Sequence, residues 1–452
     1  MSIEEGLLTF FAILFIYYLI EFTLHKKGIL EKYNTSIYGP FLMIRTKKGI
    51  RFLKKIASKK RFWKAFGSFG IVFCFIVMLI MISVLIWQTW FVLGLDLTPE
   101  LKEALPGPEV ALILPGINPI LPIEYIVFIL IAFVVAVVVH EFSHGILAIS
   151  HNLKVKSLGL LYLILPVGAF CEPDDEELKN TKTANRMRVF AAGPMANFVV
   201  FFICLFIFSF VFISAVQPAG VNVYTITEDS PADDLGLSYG CIIKSINNTE
   251  TNDIIDFFYA LQDTHANQTV TITYIQEEKT YNRQVTLDDK YTYTENVSHM
   301  GMGYLGVGPN YNAAVILELI KHPVKYLPDS LIYIYGLPIL ALNGQNPIMS
   351  PIIDSYTITG PLSSIPTEMF WSFVSLFYWV FWLNVVVAVF NVLPMIPLDG
   401  GYLFNDALNT FLKRVKKDMS DDKREKIVKK ISAVVSLSIL ILVIFPFFLK
   451  YL

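Results

Sequence analysis

Apolar positions in this chain gather into long runs. Residues 6–24, 68–95, 123–150, 189–216, 368–393 and 431–448 are each apolar enough to form a bilayer-crossing helix, for which ~20 residues suffice. Residues 158–171 and 331–342 are too short to span, and Pro166, Gly168, Gly336 and Pro338 interrupt them. The first of these predicts a membrane-dipping hairpin or strand, tolerable only where protein or a water-filled cavity covers its backbone. The second predicts a segment at the outer surface or partly re-entrant, after a short amphipathic helix at 313–320. From 218 to 310 the pattern turns to alternation, as in VNVYTI, TVTITYI and NRQVTL. That predicts a soluble domain, with a helical stretch at 251–261.

Composition and charge refine this picture. The chain has 452 residues, 54% of them hydrophobic, and a mean hydropathy of +0.56, which fits several spans plus one soluble domain. A net charge of −2 points to no nucleic-acid partner. Lys and Arg concentrate at 26–64, 179–188 and 413–430. Basic loops stay cytoplasmic, so the N-terminus and residues 218–310 are expected outside. Acids precede the first apolar run and lysines follow it, the reverse of a secretory signal, which predicts a retained span. A loop with Pro106, Pro108, Pro115, Pro119 and Pro122 is expected to line the outer rim of a cavity. The four cysteines form no CxxC and suggest no disulfide framework.

The run 123–150 is interrupted by chemistry. It carries His140, Glu141 and His144, and ionisable groups inside a spanning helix signal function by default. Residues four apart share one helix face. Two imidazoles can therefore meet one metal ion, with Glu141 beside them as a base. The structural alternative, polar residues tying helices together, needs other groups to satisfy three buried side chains at once. A catalytic zinc takes three protein ligands and leaves a fourth position to water. Asp399, in NVLPMIPLDGG at the end of the fifth run, is expected at the depth of His140. Two prolines and two glycines free the backbone there to swing a carboxylate toward a metal. A solvated Asp capping a helix is the alternative.

HEFSH at 140–144, GPMAN at 193–197 and N-x-x-P…LDG at 391–400 together resemble the site-2 protease family of intramembrane zinc metalloproteases. The resemblance covers roughly residues 106–405, with the motifs in the family's order. One departure is Ile396, where many members have a second proline. Ser230-Pro231-Ala232, Gly236-Leu237 and Gly240-Cys241-Ile242-Ile243 resemble a PDZ domain of the kind inserted in this family, with Cys241 where Asp is usual.

The apolar runs predict a polytopic α-helical membrane protein of about six spans, and the resemblance adds its internal organisation. It would have a three-helix catalytic core, a membrane-associated β hairpin and a small α+β PDZ-like extramembrane domain. The expected division is 1–95 (two spans and a basic loop), 96–217 (first part of the core), 218–310 (PDZ-like), 311–405 (second part of the core) and 406–452 (basic loop and last span). One Zn²⁺ would be held by His140, His144 and Asp399, with Glu141 as catalytic base. Asn197, Asn391 and the hairpin residues Gly168, Ala169 and Phe170 would bind substrate. The implied reaction is cleavage of peptide bonds within or next to transmembrane segments of single-span membrane proteins. The site would face the cytoplasmic side of the cell membrane, with a peptide ligand at the extracytoplasmic PDZ-like domain. A catalytically silent zinc-bound scaffold predicts a damaged motif, whereas Glu141 is present. A transporter predicts internal repeats, and none is found.

Overall fold

The computed structural model describes residues 3–94, 98, 118, 120–163 and 165–448. Pro106, Pro108, Pro115 and Pro119 of the expected rim loop lie outside the described residues. The chain divides into two units, one drawn from 1–109, 127–202 and 379–452, the other from 110–126 and 203–378.

The helices that matter for the site are α1 (Ile3–Lys26), α2 (Lys60–Leu93), α3 (Ile126–Ser150), α4 (Thr183–Phe206), α5 (Thr367–Val392), α6 (Asp399–Val415) and α7 (Asp421–Phe448). Among the described residues five stretches, Lys60–Leu93, Ile123–Ser150, Thr183–Ala215, Thr367–Val392 and Asp421–Phe448, are long and apolar enough to cross a membrane. The expected first span lies within α1. Expected boundaries shift where polar residues continue a helix past its apolar part. The fourth begins at Thr183 rather than 189, so GPMAN lies inside α4 and not at its start. The last begins at Asp421 rather than 431.

In the first unit the apolar stretch at 158–171 forms an antiparallel hairpin, β3 (Val155–Leu163) with β4 (Leu165–Pro173). Leu158 pairs with Cys171 and Leu160 with Ala169. The hairpin is half of a four-stranded sheet. Strands β1 (Thr35–Tyr38) and β2 (Phe41–Thr46) flank it, in the order β1-β2-β3-β4. Behind the sheet and α3, Leu53, Leu147, Leu158 and Val189 are buried together.

The second unit holds the alternating segment. Strands Val221–Ile226, Ile242–Ile246, Thr269–Gln276, Lys279–Thr286 and Val307–Pro309 build one antiparallel sheet with the last two at its edges. The helix Ile254–Gln262 starts at Asp253, whose carboxylate accepts from the Ile255 and Asp256 amides. It buries Phe257 among Val223, Ile243, Ile272 and Leu305. Asp329–Ala341 corrects an expectation, because the helix runs through Gly336 and Pro338. Proline at 338 cannot donate to the carbonyl four residues back. That carbonyl, Ile334 O, accepts from the Tyr378 hydroxyl at 3.4 Å instead.

The four cysteines are free and buried, and burial pushes the Cys241 thiol up to about 11. Thiolate is the reactive form, so Cys241 reports opening of the β domain. Phe257→Ala removes a fully buried ring, a loss of about 3–5 kcal/mol. We expect maleimide labelling of Cys241, located by peptide mass spectrometry, to accelerate by about two orders of magnitude or more.

Candidate metal centre

Three ligating groups from α3 and α6 converge. The Asp399 Oδ2 atom lies 3.0 Å from His140 Nε2 and 3.2 Å from His144 Nε2, with side-chain exposures of 13, 8 and 12%. One ligating atom from each residue falls within 4.8 Å of the others. The i, i+4 spacing on α3 aims both imidazoles the same way. A sharp reversal brings Asp399 to them. Here α5 ends at Val392 and α6 starts at Asp399. A Cβ on Gly401 would sit 2.7 Å from the Ile396 nitrogen, and one on Gly400 would strike the Val392 carbonyl. The turn closes this tightly only because both positions lack a side chain. It leaves Asp399 at the first position of α6, where the helix N-terminus favours a carboxylate.

The surroundings of the three groups fit a cation. The His144 Nδ1 atom lies 2.7 Å from Val189 O on α4. A carbonyl can only accept, so Nδ1 carries the proton and Nε2 keeps its lone pair for a metal. His140 Nδ1 lies 3.5 Å from Asn197 Nδ2, while Asn197 Oδ1 is buried without a partner. Turning the amide over lets Oδ1 accept from His140 Nδ1–H, which satisfies the buried oxygen and frees Nε2 in the same way. Asp399 Oδ2 is itself buried and accepts no well-formed hydrogen bond despite its two short contacts. Two imidazole nitrogens and one carboxylate oxygen facing one point suit zinc.

Gly193 keeps that point open. A Cβ there would lie 2.5 Å from His144 Nε2 and 2.7 Å from His140 Nε2. The first glycine of GPMAN therefore admits the ligating edges of both rings against α4.

Glu141 sits one residue along α3 and turns toward the sheet. Its Oε2 accepts from the backbone N–H of Cys171 on β4 at 2.9 Å. The close approach depends on Gly145, where a Cβ would come 2.6 Å from Cys171 Sγ. Gly168, Ala169 and Phe170 lie on β4, the last strand of its sheet, and lead up to Cys171. Asn197 is wholly buried beside His140. Asn391 is turned into its own helix, its Nδ2 donating to Val387 O at 2.9 Å. Sequence reasoning thus grouped the ligands and Glu141 but missed the carbonyl of Val189 and the part played by Gly193.

A profile of peptidase family M50 matches residues 128–439. An uncharacterised protein of Methanocaldococcus jannaschii is 27% identical over 84% of this chain and 80% of its own length. A Clostridium acetobutylicum protein, provisionally named a zinc metalloprotease, is 25% identical over 66% of this chain and 90% of its own length. The regulator of sigma-E protease RseP of Escherichia coli is 26% identical over 40% of this chain and 46% of its own length.

Gly193→Ala should leave the helices folded and abolish stoichiometric zinc binding. Metal analysis of the purified variant beside the parent checks this.

Proposed function

Because this chain belongs to peptidase family M50 and is an integral membrane protein, we propose that it is a zinc endopeptidase of the site-2 type. It would cleave peptide bonds within or beside the transmembrane segments of single-span proteins. The observation that carries this reading is the meeting of His140, His144 and Asp399, two of them on a helix apolar enough to span.

In this reading the three residues hold one zinc ion, which polarises the scissile carbonyl and makes a water molecule more acidic when bound. Glu141 takes the proton of the attacking water and gives it to the departing amide nitrogen. Val189 O and Asn197 fix the two imidazoles so that neither turns its ligating nitrogen away. Asn197 thereby takes a share in ring orientation beside the substrate contact expected of it, and Asn391 would reach substrate after leaving Val387 O.

A peptide bond within a substrate helix is shielded by the helix's own hydrogen bonds and must unwind before attack. The open side of β4 offers backbone partners for the unwound strand, the β-addition mode of recognition. Gly168, Ala169 and Phe170 would line that dock, with Glu141 alongside. The 2.9 Å bond from Cys171 N–H to Glu141 supports this placement of dock and base side by side. The basic segments support a site toward the cytoplasmic face of the cell membrane. The PDZ-like domain would then lie outside and take a peptide ligand or filter substrates by size.

The test is cleavage of a single-span peptide by purified protein in detergent or proteoliposomes. Glu141→Gln should keep one zinc per chain and lose cleavage by about 10²–10⁴-fold, since an amide has no usable basicity. Undiminished cleavage by that variant would refute the assignment of Glu141.

A further inference from the structure

Asp399 is anchored at the front of α6 by the glycine turn, but a turn alone does not set how far a helix slides along its neighbours. The side-chain contacts between α4 and α6 bear on that. At one level Gly193 of α4 faces the ring nitrogens that meet Asp399. Three residues back on α4 and three forward on α6, Phe190 and Tyr402 stack, with centroids 4.8 Å apart and planes at 15°. Four further residues along each helix, Arg186 meets Asp406. Its Nε donates to Oδ2 at 2.8 Å and its Nη2 to Oδ1 at 2.5 Å.

These three rungs, 193/399, 190/402 and 186/406, use the same spacings of three and four on helices running in opposite directions. Each set lies on one face, and seven residues put the outer rungs about 10 Å apart along each axis. The stacked rings tolerate sliding, whereas a bidentate guanidinium–carboxylate pair does not. Only 19 and 10% of the two charged side chains is exposed, and Arg186 Nη1 also donates to Lys179 O at 2.9 Å.

We infer that Arg186 and Asp406 are positioning residues for the metal site: their pairing locks α6 in register against α4 and so holds the Asp399 carboxylate at the distance the two imidazoles require. This rests on the zinc reading above. It adds that the carboxylate ligand is placed by an ion pair two helical turns away, through the first half of α6.

The test uses the full chain in detergent, stripped with a chelator and titrated with zinc alone or with cobalt, whose visible bands report ligand geometry. Asp406→Asn and Arg186→Gln should each weaken zinc binding by about 10–100-fold, the range for lost ligand-orienting partners. They should also shift the cobalt bands toward those of Asp399→Ala. Glu425→Gln, which breaks the exposed Lys429–Glu425 pair of 2.7 Å, should change neither readout. If Asp406→Asn does not fold, Arg186→Lys carries the test. It keeps the charge without the fork and should shift the bands the same way with a smaller loss of affinity. Folded variants with parental affinity, or with weakened affinity but an unchanged cobalt spectrum, would overturn the register. A parent protein that binds neither metal would overturn the zinc reading itself.

Discussion

Placing two imidazoles and a carboxylate among apolar helices is costly, and the structure depends on how that cost is met. Each ring has a second nitrogen, and each finds a partner on α4: Val189 O for His144 and the Asn197 amide for His140. Those contacts satisfy a buried polar group and fix its tautomer together. The ligating nitrogens are left facing one another and Asp399, an arrangement stable only around a shared cation or proton. The surrounding fold follows from this need. Helix α4 must come close enough to serve both rings, hence a glycine at 193. Helix α6 must begin where α5 ends, hence the turn with Gly400 and Gly401.

The same economy joins the sheet to the site. Glu141 would be a bare carboxylate pointing into a sheet edge, but a backbone amide of β4 meets it. Strands β1 and β2 occupy the other side of the hairpin through β3, so among the described residues β4 has no strand on its outer side, and that side is next to Glu141.

Much of this was legible in the residues. Long apolar runs mark spanning helices by simple length, and two histidines four apart on one of them mark a candidate metal site. The apolar stretch around Pro166 and Gly168 read as a hairpin, and it is one. The strands at 35–46 were hidden because their alternation is short and lies among lysines and arginines, which read as a topological signal. Helix α6 was hidden likewise: its polar face looked like a basic loop. Pro338 argued for a break that is not there; the carbonyl it leaves unpaired meets the Tyr378 hydroxyl of another helix, a tertiary contact invisible locally. In the site, the converging side chains were grouped in advance and the backbone contributors were not, because any residue type can present the carbonyl of Val189. Arg186 counted only as a marker of sidedness, since nothing in its neighbourhood reveals a partner 220 positions away.

The paired spacings on α4 and α6 also dictate what insertions the chain can accept. One residue added between 186 and 193, or between 399 and 406, would turn the far part of that helix by about 100° and carry a ligand or its anchor off the shared face. Extra residues after Val415, where the chain leaves α6, would disturb none of these pairs. The spacing of these pairs is therefore confined to two short windows far apart in sequence, so related chains of different total size can keep one and the same arrangement of the two histidines and the aspartate.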